Sequence, residues 1–286
     1  MSLHPATVGL DARSRLTNGA SDRLAYTLDL ALVLVELLPD DATGGSISTL
    51  PLAWRDPWTP EQADTARHQL DELAAGLTTL AWETGRAVRV GFEPEPGCVV
   101  ETTEQAVAHL STVDTDRLGI CLDLAHLACS WEEPADAIDR LKEAGLPIVK
   151  VQVSAALEAD DPIAAADALR GYVEPRFLHQ TRSASGAKAD DLDEALDRGL
   201  PGPWRVHYHV PLHADPVAPL RSTTPVLRKA LRLLLNDCDH FDVETYTWNV
   251  LPPEQRPTTR DELARGIAAE LAFARSELAL SAEAVR

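Results

Sequence analysis

The sequence predicts an α/β fold whose parallel strands curl into a barrel. Three observations predict it. Strand-like and helix-like segments alternate along nearly the whole chain, the pattern of parallel β/α architecture. Read with a period of two, each strand puts large apolar side chains on one face and small or polar ones on the other. The polar faces end in groups able to do chemistry: Glu93, Asp123, Gln152, His209 and Glu244.

The elements follow in order. Residues 1–21 have no clear period and read as an N-terminal arm, leaving 22–286 as one barrel domain. Asp22–Leu38 is a leucine-rich helix with Asp22 as N-cap and Pro39 as its stop. Ser46–Leu52 is strand-like. Thr59-Pro60-Glu61-Gln62 is a capping box with proline at the first helical position, so a helix runs to about Thr84, where Gly85 ends it. The strand Val88–Phe92 enters Glu93-Pro94-Glu95-Pro96, and Thr102 to Gln105 opens a helix reaching Val113. Leu118–Leu122 is a strand ending at Asp123, Glu133–Ala144 a helix, and Ile148–Val153 a strand. Pro162–Val173 reads as an alanine-rich helix, and 174–203 as irregular apart from a short helix at Asp190–Arg198. Arg205–Val210 is a strand, Pro225–Asn236 a helix, Phe241–Glu244 a strand, and Thr259–Glu262 a capping box that opens a last helix to about Leu280.

Strand parity favours a TIM-type (β/α) barrel over an open doubly wound sheet. Val88, Val90 and Phe92 oppose Arg89, Gly91 and Glu93; Leu118, Ile120 and Leu122 oppose Gly119, Cys121 and Asp123. Val149, Val151 and Val153 oppose Lys150 and Gln152; Val206, Tyr208 and Val210 oppose Arg205, His207 and His209. In a barrel the apolar face meets the helices and the other points inward. An open sheet is apolar on both faces and usually carries a glycine-rich phosphate loop, which is absent here. The inward residues converge at the carboxyl-end mouth.

Composition narrows the function. The net charge of −19 over 286 residues argues against a nucleic-acid or anionic-membrane surface. No apolar run approaches membrane-spanning length, and the first residues lack a signal-peptide core. The four cysteines have no C-x-x-C spacing, so a reducing, cytoplasmic setting is expected.

At the mouth, Glu93 and Glu244 are candidate acid–base groups and, with Asp123, Gln152 and His209, candidate metal ligands. Their alternatives are ion pairs with Arg89, Lys150 or Arg205, a loop cap for Asp123, and a satisfied polar wall for Gln152. His126, His207, Glu95, Lys150, Trp248 and His179 are candidate substrate contacts. Against those roles stand a ligand or supporting role for His126, buried hydrogen bonding for His207, a solvated loop for Glu95 and His179, charge balance for Lys150, and packing for Trp248.

The ordered strand ends resemble the xylose isomerase-like TIM barrels, which include sugar isomerases, epimerases and endonuclease IV. In that superfamily Glu-Pro ends the fourth strand, Asp-x-x-His the fifth, usually a histidine the sixth, and a glutamate the eighth. Glu93-Pro94, Asp123-Leu124-Ala125-His126, Gln152 and Glu244 stand in those places. SISTLPLAW, GFEPEPGC, KVQVSAAL, LHQTR and VETYTW more narrowly resemble the EboE-type metabolite traffic proteins. The resemblance implies a sugar-like small-molecule substrate, a divalent cation (manganese, magnesium or zinc) and proton transfer beside a carbonyl. Non-catalytic metabolite binding is the alternative. The departures are Gln152 in place of histidine and six recognisable strands, so strands one and two are expected to be missing from an N-terminally shortened barrel. Open edges at 46–52 and 241–244 then predict association with a partner.

Overall fold

The computed structural model describes residues 20–284. The N-terminal arm expected at 1–21 lies outside them, except for residues 20 and 21, which already belong to the first helix. Helix α1 (Ala20–Leu37) leads to strand β1 (Gly44–Thr49), helix α2 (Pro60–Thr84) and strand β2 (Ala87–Phe92). Helix α3 (Thr103–Leu110) follows, then strand β3 (Leu118–Asp123), the short helix α4 (Leu124–Cys129), helix α5 (Pro134–Glu143) and strand β4 (Ile148–Val153). The local signals explain these boundaries. Thr59 with Gln62, and Thr102 with Gln105, each form a reciprocal capping box. Gly85 ends α2 with φ 70°, a left-handed conformation that glycine adopts without steric cost.

After β4 the chain departs from strict alternation. Strand β5 (Ala156–Ala159), helix α6 (Ala166–Arg170), strand β6 (Thr181–Ser183), strand β7 (Lys188–Ala189) and helix α7 (Leu192–Arg198) precede strand β8 (Trp204–His209). Strand β9 (Arg221–Ser222), helix α8 (Thr224–Leu234), strand β10 (Phe241–Val243) and helix α9 (Arg260–Ala284) complete the chain.

Two five-stranded sheets result. One is parallel, in the order β1-β2-β3-β4-β10, and forms a half-barrel; the other is antiparallel, in the order β7-β6-β8-β5-β9. The fold is therefore TIM-barrel-like, with one correction to the expected strand set. The 205–210 segment is a strand, but it pairs antiparallel with β5 and β6. A strand has two edges, and both of these are taken, so β10 rather than β8 lies beside β4. Two smaller corrections follow from the same region. The helix expected at 162–173 is helical over Ala166–Arg170, and the segment expected to be irregular supplies β6 and β7. Strands of two to four residues are too short to show a period.

In the parallel sheet the face assignments hold. Val88, Val90, Phe92, Leu118, Ile120, Val151 and Val153 are buried in one apolar cluster with helix residues such as Leu77, Leu141 and Leu231. On the opposite face Lys150 donates to Ser48 (3.1 Å) and pairs with Asp242 (2.9 Å), while the Cys121 thiol donates to Gln152 (3.1 Å). All four cysteines are unbridged and buried. No helix among the described residues is long and apolar enough to cross a membrane.

Candidate metal centre

The carboxyl ends of the parallel strands and one end of β8 meet at a buried polar cluster. Glu93 leaves β2, Asp123 ends β3, His126 lies on α4, and His207 and His209 alternate on β8 with Tyr208 between them. All five are at most 2 % exposed. Asp123 caps α4 by accepting the His126 backbone N–H (2.8 Å), and this bond sets where the His126 ring goes. The D-x-x-H spacing is therefore a helix cap that also aims an imidazole.

Each ring is held by its far nitrogen. His126 Nδ1 lies 3.0 Å from the Pro94 carbonyl, His209 Nδ1 lies 2.9 Å from the Glu244 carbonyl, and His207 Nδ1 lies 2.7 Å from Gln180 Oε1. Oxygen acceptors at Nδ1 favour the tautomer with the proton there, which turns Nε2 inward as a lone pair. The inward nitrogens converge: His126 Nε2 and His207 Nε2 are 2.8 Å apart, and Asp123 Oδ1 lies 3.9 Å from Nε2 of both His126 and His209. One ligand atom from each of His126, His207 and His209 falls within 4.8 Å of the others, and the same holds for Glu93, Asp123 and His126.

The group suits a positive charge at its centre. Two lone pairs cannot face each other at 2.8 Å without a shared proton or cation. His209 Nε2 and Asp123 Oδ2 are buried and have no hydrogen-bond partner among the described residues. Leaving such groups unsatisfied costs roughly 1–3 kcal/mol each. A divalent cation fits this donor set of imidazole nitrogens and carboxylate oxygens.

The carboxyls differ in charge state. Burial, reinforced by Glu244, Asp123 and Glu95, pushes Glu93 well above the usual glutamate range. Burial and the Asp123 charge push Glu244 up to about 8. Burial also opposes ionisation of Asp123, but His126, His209, the His126 N–H and the Ser154 hydroxyl together hold it below its usual range.

The remaining expected residues are spread around this cluster. Gln152 is fully buried, its carbonyl oxygen accepting from Cys121. Lys150 lies deeper and is tied to Ser48 and Asp242. Glu95 is buried in the loop after β2, where its backbone N–H donates to Val100. His179 is buried but engaged elsewhere: Nε2 contacts Glu174 (2.9 Å) and Nδ1 contacts the His207 carbonyl (3.1 Å). Trp248 lines a separate rim cavity of about 130 Å³ and stacks with His213 at a centroid distance of 6.2 Å.

Three further residues contribute to the centre. Gln180 orients His207, and Ser154 donates to Asp123 (2.9 Å). Tyr246 donates to the His207 carbonyl (3.1 Å) and lays its ring 4.8 Å from that of His209. The sequence signal for Ser154 was its place two residues after Gln152, and no spacing marked Gln180.

Comparison with known proteins agrees with the architecture. Residues 24–201, more than half of the chain, match the family described as xylose isomerase-like TIM barrel. No curated protein matches the chain. A crystal structure of a D-tagatose 3-epimerase-like protein superposes with a TM-score of 0.51 at 16% identity, covering 99% of this chain and 76% of that one. A xylose isomerase-like TIM barrel protein from Mycobacterium smegmatis in complex with magnesium gives a TM-score of 0.46 at 18% identity, covering 89% of this chain and 68% of that one. By the family match and the parallel half-barrel together, this chain belongs to the xylose isomerase-like TIM barrel family.

Proposed function

We propose that the chain is a divalent-cation-dependent isomerase or epimerase of a sugar-like metabolite, of the EboE metabolite-traffic type that its motifs resemble. The observation that carries this reading is the orientation of the three imidazoles. Each is anchored at Nδ1 by an oxygen; the Nε2 atoms of His126 and His207 meet at 2.8 Å, and those of His126 and His209 each lie 3.9 Å from Asp123. Zinc or manganese suits that histidine content better than magnesium.

A cation bound there supplies Lewis-acid polarisation of a substrate carbonyl and its neighbouring hydroxyl. The chain's own residues do the rest. Glu93 and Glu244 approach the cluster from two strands that are not neighbours, which suits one to remove a proton and the other to return it. Asp123, kept ionised, holds negative charge opposite the rings. Lys150 balances the carboxylates from below, and Tyr246 packs beside His209. His126 and His207 serve here as cation ligands more than as substrate contacts. Gln152 and Glu95 line the wall, and His179 braces the His207 backbone. Trp248 packs on His213 and Gly266 beside a separate cavity.

A second reading, metabolite binding without turnover, is favoured by one observation. Gln152 stands where the family usually has a histidine, and its carbonyl oxygen is already occupied by Cys121. Metal analysis of the purified protein, with isomerase and epimerase assays on a ketose panel, separates the two. The expected result is bound metal and turnover, with Glu93→Gln and Glu244→Gln each lowering kcat by about 10²–10⁴-fold. Protein with no metal and no turnover removes the enzyme reading. Activity lost in both variants while metal is retained removes the binding-only reading.

A further inference from the structure

Helix α1 buries Thr27, Ala31 and Val35 against the rest of the protein. Leu28 marks the side facing α2, because a Cβ at Gly76 of α2 would meet its Cδ2 at 2.7 Å. Nearly opposite Leu28 on the helical wheel runs a second apolar line: Tyr26, Leu30, Val33 and Leu37. Tyr26 is 47% exposed, Val33 53% and Leu37 75%, with Leu30 half-buried.

The spacing of this line is four, three, four, the seam of a heptad helix. Asp22, Asp29 and Glu36 recur every seventh residue immediately beside it, all exposed and without an ion-pair partner among the described residues. In a heptad those are the positions that pair with charges on the opposing helix and set which partner is accepted. The one basic residue of α1, Arg23, lies seven residues before Leu30 on this line but turns its guanidinium to the Leu52 carbonyl, and the whole chain carries −19. Two antiparallel copies of α1 would bring these acidic lines face to face, and the net charge opposes self-association in either orientation.

We propose that α1 is a docking strip for an amphipathic helix of another protein whose apolar seam is bordered by lysine or arginine. The apolar seam supplies affinity, and the Asp22–Asp29–Glu36 line selects the sign of the partner's flank.

The test titrates the full chain with two fluorescent four-heptad peptides. Both carry leucine and valine at the seam; one has lysine and the other glutamate at the flanking positions. The lysine peptide is expected to bind saturably, about tenfold or more tighter than the glutamate peptide, and to weaken as salt rises from about 50 to 500 mM. V33D with L37D, both exposed positions, is expected to abolish binding while circular dichroism stays unchanged. That variant adds negative charge, so non-specific attraction of the lysine peptide would rise rather than fall. D29K with E36K is expected to reverse the peptide preference. No saturable binding, binding indifferent to V33D/L37D, or a wild-type dimer that V33D/L37D converts to monomer would each overturn the proposal.

Discussion

Gln180 shows how much of the centre depends on groups that never reach its middle. Its side-chain oxygen, 2.7 Å from His207 Nδ1, leaves His207 Nε2 to face His126. Replacing Gln180 with leucine keeps the bulk and removes that acceptor. Metal affinity is expected to fall about 10–100-fold, read by competition with a chromophoric chelator. His209→Ala, which removes a donor outright, serves as the lower limit, and a Gln180→Leu protein with unchanged affinity would remove the orienting role. The three histidines could be read from D-x-x-H and from the H-x-H parity of one strand. Gln180 could not, because its role arises from the approach of residue 180 to β8, where its backbone carbonyl accepts from the His207 N–H. No spacing within the sequence encodes that approach.

Helix α9 carries a buried carboxyl that ties it to two loops. Glu270 Oε1 accepts from the Leu212 backbone N–H (3.0 Å) and from the Thr245 hydroxyl (2.6 Å), so α9 anchors the loops after both β8 and β10. Burial pushes this carboxyl above the usual glutamate range, despite those donors. A raised folded-state value means that stability is fully present below the unfolded-state value and is lost as pH rises through the folded one. Glu270→Gln keeps an acceptor oxygen without the charge. It is expected to melt higher than the parent at pH 8 and to match it near pH 4, in paired thermal melts. The elements around the parallel sheet could be read because capping boxes at Thr59 and Thr102 and the glycine stop at Gly85 act locally. The antiparallel sheet could not: β6, β7 and β9 span three, two and two residues, and their pairing depends on distant segments.

Between the two sheets lies a buried ion pair. Glu101, just before α3, accepts from Arg182 of β6 at 2.5 and 3.1 Å. Burial raises the Glu101 carboxyl, but the Arg182 hydrogen bonds and charge, with Lys188, bring it below its usual range. Its contribution is therefore present above the unfolded-state value and lost as pH falls through the lower folded-state value. Glu101→Gln leaves the guanidinium uncompensated and is expected to cost about 3–5 kcal/mol in denaturant unfolding at pH 7. The difference from the parent should shrink as the pH is taken down towards 3, and a pH-independent difference would assign the cost to packing instead.

The placement of β10 beside β4 also sets an order of assembly. The residues that follow β4, from 154 to 240, must all be made before Phe241–Val243 can pair with it. Closing so long a loop carries an entropic cost that only late contacts offset. During synthesis Glu93, Asp123 and His126 come into being first, the β8 histidines later, and the Glu244 carbonyl that orients His209 last. From residue 126 until residue 244 the emerging chain thus holds only part of the candidate cluster, which is complete only when the last strand docks.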